Sequence, residues 1–294
     1  MEKPDNGTQI RPRRSVLYMP GANERAMQKA RDLACDTIIF DLEDAVAPDA
    51  KSTARAQVAD VVQQGGYGYR ELIVRGNGLD TEWGAHDIAA FARSPIDGML
   101  FPKIESIDQV QAIVDTLDQH GGHQIPIWLM VETPQGVMDL IEFAGHERVG
   151  ALVMGTSDLV KELRATHVPD RSNIGYALQH CVLTARRFDK DIFDGVHLDF
   201  RNLDTLRAAC IDGKAMGFDG KTLIHPGQIE ITNEIFGYAA HDIEHARQLL
   251  EVWRQALLDG KGVVVLDGKL VENLHAAEAE RIVAFAEALA QREM

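Results

Sequence analysis

Charged side chains recur at one kind of place in this sequence, immediately after a short apolar run. Asp41-Leu42-Glu43-Asp44, Arg75, Lys103, Glu132, Ser157-Asp158, His197 with Asp199, and His225 all stand there. If the runs are strands of one sheet, these groups gather at a single end of it. Several carboxylates drawn into one concave place repel one another unless a cation neutralises them, and a hard divalent ion with oxygen ligands does so. Glu132 and Asp158 follow successive runs and are the pair best set to share one Mg2+, with water and substrate completing its octahedron. Zinc is disfavoured, because His197 and His225 lack the spacing of a zinc motif and Cys35, Cys181 and Cys210 fall on helix-like stretches or their ends.

Each group also has a plainer reading. A lone carboxylate after a strand is more often a helix cap or the partner of a nearby Arg or Lys, although agreement among four strand ends weighs against that for the set. Arg75 either anchors a loop or grips a substrate carboxylate with its fork. Lys103 and Lys221 raise the possibility of a Schiff-base aldolase, but a lysine beside carboxylates usually stays a paired ammonium.

Eight apolar, β-branched runs carry these residues, at 16–19, 37–40, 72–74, 98–101, 127–131, 151–154, 195–198 and 221–224. Each is followed by a stretch of helical periodicity. Thr133-Pro134 reads as a cap and a first-turn proline. Eight such repeats predict a closed parallel (β/α)8 TIM barrel, with a doubly wound sheet as the runner-up. The loop after the first run, Pro20-Gly21-Ala22-Asn23-Glu24, lacks the GxGxxG of a dinucleotide fold. Gly217-Phe218-Asp219-Gly220-Lys221-Thr222 ends like a P-loop, but Ala215 occupies the place of its first glycine.

Residues 1–14 read as a polar N-terminal tail and 15–260 as the barrel, with a long helical segment over 228–258. Residues 261–294 read as a hairpin-plus-helix lid turning at Asp267-Gly268. Some 30 residues cannot bury a core of their own, so this extension should pack on a barrel.

Acidic residues number 45 against 30 basic ones, a net charge of -15 that opposes attraction to nucleic acid or an anionic membrane. No run approaches the roughly 18 apolar residues needed to span a bilayer. Glu2 and Asp5 interrupt a start that has no apolar signal core. Isolated cysteines suit a reducing compartment, so a cytoplasmic protein is expected.

In order along the chain, Arg14-Ser15-Val16-Leu17-Tyr18-Met19-Pro20-Gly21, Asp41-Leu42-Glu43-Asp44-Ala45-Val46, Val131-Glu132-Thr133-Pro134, Gly155-Thr156-Ser157-Asp158-Leu159 and the segment from Gly217 to Pro226 resemble one family. It is the HpcH/HpaI aldolase group, which includes citrate lyase β chains, malyl-CoA lyases, citramalyl-CoA lyases and malyl-CoA thioesterases. The resemblance implies a (β/α)8 barrel assembled as homotrimers or hexamers, with Mg2+ held by Glu132 and Asp158. It implies Arg75 on the carboxylate of the acid partner, Tyr18, Arg25 and Lys29 along coenzyme A, Ile224 and His225 bordering the substrate, and Glu43 behind the metal ligands. It also implies a lid that crosses to a neighbouring subunit and supplies an acid/base Asp. Here the matching residues are Leu270-Val271-Glu272, so Glu272 stands where many lyases place Asp. One added methylene moves a carboxylate by about an ångström, which can cost around a hundredfold in rate. Glu272 either serves with the lid set differently or signals thioester hydrolysis.

The expected reaction is Mg2+-dependent cleavage of a 3-hydroxy dicarboxylic acyl-CoA, of the malyl-CoA or citramalyl-CoA type, to acetyl-CoA and a 2-oxo acid. Arg75, Glu272 and Glu43 are its expected catalytic groups. The alternatives are a malyl-CoA-type thioesterase and a non-catalytic acyl-CoA-binding barrel or subunit of a citrate lyase complex.

Overall fold

The computed structural model describes residues 10–292. Eight short parallel strands close into a barrel in chain order: β1 (Ser15–Pro20), β2 (Thr37–Asp41), β3 (Glu71–Arg75), β4 (Gly98–Phe101), β5 (Ile127–Val131), β6 (Val149–Met154), β7 (Asp191–Asp194) and β8 (Gly220–Leu223). Pairing of β1 with β8 completes the ring. β2, β3 and β5 are buried at every position, as strands covered by helices outside and by one another inside must be. Alternation sorts their side chains. Val16, Ile39, Ile73, Leu100, Trp128, Met130, Val153 and Phe193 fill the inside, whereas Leu17, Ile38, Phe40 and Val74 face the layer of helices. Thr133 caps the helix Pro134–Met138 by accepting from the Gly136 N–H, as the sequence predicts.

Three expectations need correction. The seventh strand is Asp191–Asp194, not 195–198. Its acidic ends hide it from an apolar scan, and two contacts stop it at Gly195. The Lys221 ammonium takes the Gly195 carbonyl, and Gly195 lies so close to Thr156 and the Met154 carbonyl that a Cβ would collide with both. His197 and Asp199 therefore belong to the following loop rather than to a strand end.

The polar tail is also shorter than 1–14. Residues 1–9 lie outside the described part, but Arg13 and Arg14 are anchored at the foot of the barrel, Arg13 on Glu71 and Asp191 and Arg14 on Asp36. Finally, the helical segment of 228–258 is two helices, Ile229–Phe236 and Ala240–Leu258. The break comes where Ala239 is extended and its N–H donates to Asp242.

Two compact units result, Arg13–Phe236 and a second made chiefly of Gly237–Met294. Within the second unit, Trp253 and Leu249 of helix Ala240–Leu258 share a core with Val271, Ala276 and Ala279. That unit holds the predicted hairpin, β9 (Val264–Leu266) and β10 (Lys269–Val271), and the helix Asn273–Ala290. Asp267 and Gly268 form the turn, both at positive φ. No helix among the described residues is long and apolar enough to cross a membrane.

Candidate active site at the strand C-termini

Charged side chains do converge at the C-terminal mouth of the barrel, but they sort into two sets. Arg75, at the end of β3, lays its fork on Asp41 at the end of β2, with Nε donating to Oδ1 at 2.7 Å and Nη2 to Oδ2 at 2.6 Å. Adjacent parallel strands in register make this pairing direct, since Asp41 and Arg75 are Cα partners. Asp41 is spent on structure, for its carboxylate also accepts the Glu43 and Ala45 N–H groups. The remaining Arg75 nitrogen, Nη1, stands 3.0 Å from Glu43 Oε2 and 3.7 Å from Asp44. Part of the acidic cluster is therefore neutralised by one arginine rather than by a metal ion. Asp41, the anchor of that arginine, had no sequence signal of its own within the Asp41–Asp44 run.

Glu132 and Asp158 form the second set. Glu132 follows β5 and is 3 % exposed, and its Oε1 accepts the Lys103 N–H at 3.0 Å. Lys103 offers that N–H from a left-handed conformation, φ 52, two residues after the end of β4 at Phe101. Gly155 makes room, because a Cβ there would collide with the Glu132 side chain. Burial, and then the negative charge of Asp158, push the Glu132 carboxyl up to about 8. Asp158 sits half-buried in the first turn of helix Thr156–Glu162. Neither Asp158 nor Glu132 Oε2 has a partner among the described residues, and neither is among the buried unsatisfied atoms, so both open on the mouth.

Such a pair fits a hard divalent cation, since among the described residues no side chain is in ion-pair contact with it and its free oxygens are reachable. No cluster of three potential ligands occurs among the described residues. Two protein carboxylates with water and substrate is thus the donor set on offer, the usual pattern for Mg2+.

Both lysines singled out in the sequence stand beside carboxylates. Burial opposes the Lys103 charge, yet Glu132, Glu43 and Asp158 outweigh it and raise its pKa. Lys221 is buried against Asp194 at 2.7 Å, and Arg171 holds the same carboxylate. A Schiff-base lysine needs a neutral amine, so neither matches that reading. Lys51 is the exception in direction, its pKa lowered by burial, and it donates to the Leu42 and Glu43 carbonyls. A cavity of about 420 Å³ opens beside it, walled by Glu43, Lys51, Trp83, Lys103 and Gln109. Sequence reading missed Lys51 and this cavity.

The other predicted residues scatter. Tyr18 lies inside the barrel under Arg75, its ring centroid 5.1 Å from the guanidinium carbon, while Arg25 and Lys29 stand on the helix that follows. Those two are exposed, one turn apart on helix Glu24–Lys29. Ile224 is 40 % exposed, and its N–H and that of His225 both donate to Gln228 Oε1. The His225 ring stacks on Phe200 at 4.9 Å, and its Nδ1 accepts the Gly227 N–H. His197 is tied to Thr205, with its pKa lowered by burial. Glu272 is exposed before helix Asn273–Ala290, where its N–H donates to His275 Nδ1.

A closed parallel barrel with reachable acidic groups at its strand C-termini has the form of a barrel enzyme site. A model of the HpcH/HpaI aldolase/citrate lyase family matches residues 14–226, and the chain belongs to that family. It is 48% identical over 282 residues to a (3S)-malyl-CoA thioesterase of Cereibacter sphaeroides, covering 96% of this chain and 97% of that one. It is 32% identical over 290 residues to the citrate lyase subunit beta of Escherichia coli (strain K12), covering 96% of each. Among solved structures, CitE of Mycobacterium tuberculosis in complex with magnesium, acetoacetate and coenzyme A superposes with a TM-score of 0.76 at 26% identity, covering 93% of this chain and 97% of that one.

Proposed function

We propose that this chain is a Mg2+-dependent enzyme acting on 3-hydroxy dicarboxylic acyl-CoA thioesters of the malyl-CoA kind, and that its reaction is hydrolysis to coenzyme A and the free hydroxy acid. The observation that carries the reading is the unpaired, reachable Glu132–Asp158 pair beside Arg75. Magnesium, an ion present in the Mycobacterium tuberculosis CitE complex, would supply Lewis-acid polarisation of the acid's oxygens if held by Glu132 and Asp158. Arg75, locked in orientation by Asp41, presents Nη1 to an incoming carboxylate, which displaces the weaker Glu43 contact. Lys103 holds Glu132 through its N–H and keeps positive charge beside the anionic ligand. Arg25 and Lys29 offer exposed cations to the coenzyme's phosphates. Glu272 is the group we assign to proton transfer, delivered by a second copy of the chain in a homotrimer or hexamer. Three buried free thiols suit a cytoplasmic setting.

Hydrolysis is favoured over carbon–carbon cleavage because the similarity to malyl-CoA thioesterases exceeds that to citrate lyase β subunits, and because Glu272 replaces the lyase Asp. Cleavage to acetyl-CoA and a 2-oxo acid is the second reading, supported by the aldolase character of the family. Purified protein incubated with malyl-CoA or citramalyl-CoA and Mg2+ separates them by mass spectrometry. Free CoA with malate or citramalate supports hydrolysis. Acetyl-CoA with glyoxylate or pyruvate transfers the assignment to the lyase, and intact thioester in both mixtures removes the substrate class.

A further inference from the structure

Tyr18 projects among the side chains that fill the barrel, two residues before the level at which Pro20, Asp41 and Arg75 stand side by side. Its ring lies beneath the Arg75 guanidinium. The hydroxyl has a separate situation. It makes no hydrogen bond to the described residues, and it is not among the buried polar atoms left without a partner, so it is accessible within the mouth. Arg75, Asp41, Glu132 and Glu43 are its charged neighbours. The protein acceptors nearest in kind are largely taken, Asp41 by Arg75 and two N–H groups, Glu43 by Arg75 and the Asp44 N–H, and one oxygen of Glu132 by Lys103. Burial raises the Tyr18 pKa, so the phenol keeps its proton and remains a donor.

A donor that is fixed, reachable and without an acceptor, one layer below the arginine that attracts carboxylates, is suited to an oxygen brought by the ligand. Building on the site reading above, we propose that the Tyr18 hydroxyl donates a hydrogen bond to an acid-end oxygen of the ligand received by Arg75 and the Glu132–Asp158 pair. Tyr18 is then a specificity-determining residue for 2-hydroxy and 2-oxo acids, not part of the coenzyme A path. Its rigid ring adds little ordering cost to the contact, and simple acyl thioesters without the second carboxylate have no oxygen to place there.

Tyr18→Phe keeps the ring under Arg75 and removes only the oxygen. Calorimetric titrations of the full-length protein with malate and with glyoxylate, at saturating Mg2+, read the contact directly, and CoA alone serves as the control. The variant should bind the acids about tenfold more weakly or worse, with CoA affinity and melting temperature unchanged. Equal affinity of variant and wild type for both acids overturns the inference and leaves the proposed function standing. Weakened CoA binding, or a parallel fall in melting temperature, overturns it by assigning Tyr18 to the coenzyme path or to the fold. A wild-type protein that binds neither acid with Mg2+ overturns both readings.

Discussion

The two ends of the barrel carry similar residues in opposite states of compensation. At the strand N-termini, Arg13 forks onto Glu71 at 2.6 and 2.7 Å and reaches Asp191 at 2.6 Å, while Arg14 forks onto Asp36 at 2.9 Å through both side-chain contacts. Glu71 takes the Thr37 hydroxyl as well. At the strand C-termini, Arg75 satisfies Asp41 in the same manner, yet neither Glu132 nor Asp158 has an ion-pair contact among the described residues, and the Lys103 and Arg75 charges act on Glu132 only through space. Buried charge is thus no mark of function in this fold. Missing compensation is, because a desolvated carboxylate pair without a partner costs stability that only a ligand can return.

The contrast can be broken most forcefully at the mouth. Glu132→Ala or Asp158→Ala should lower turnover on the order of a thousandfold, measured with the thioester found active in the product assay, while the folded protein persists. At the foot the result should invert. Arg13→Met leaves Glu71 buried without its cation and should cost about 3 kcal/mol in denaturant unfolding, with Mg2+ affinity unchanged.

The pH dependence of stability sharpens the comparison further. Glu132 ionises near its ordinary value when unfolded but only at about 8 when folded and metal-free. Between those values the folded state holds the extra proton, so stability falls as pH rises through the window. Thermal melts of metal-free protein from pH 5 to 8.5 should show this decline, and Glu132→Gln should flatten it. The smallest effect belongs to the exposed cations. Arg25→Ala and Lys29→Ala should each raise KM for the thioester about two- to fivefold and leave kcat alone, read in steady-state assays at low salt.

The barrel was legible because burial of strands on both faces writes continuous apolar runs, as in Ile127–Val131. β7 was not, since Asp191 and Asp194 end it and their compensating partners, Arg13, Arg171 and Lys221, lie far away in sequence. Glu132, Asp158 and Arg75 were legible as charges placed after such runs. What each charge faces was not, because strand order brings Asp41 to Arg75 and leaves Glu132 with only a backbone N–H, a distinction set by register and by the space at Gly155. The resemblance grouped Tyr18 with Arg25 and Lys29, and it carries no information on the alternation along β1 that turns the Tyr18 ring inward beneath Arg75. The break at Gly237 went unseen because both flanking segments share one helical periodicity.

The central claim is that Glu132 and Asp158 await a divalent cation. Isothermal titration of metal-free protein with Mg2+ near pH 7, repeated in two buffers of different ionisation enthalpy, tests it most directly. One ion per chain should bind with release of a proton from Glu132, and both the heat and the proton should vanish in Glu132→Gln. Absence of Mg2+ binding by the wild type, or unaltered binding by that variant, would contradict the account.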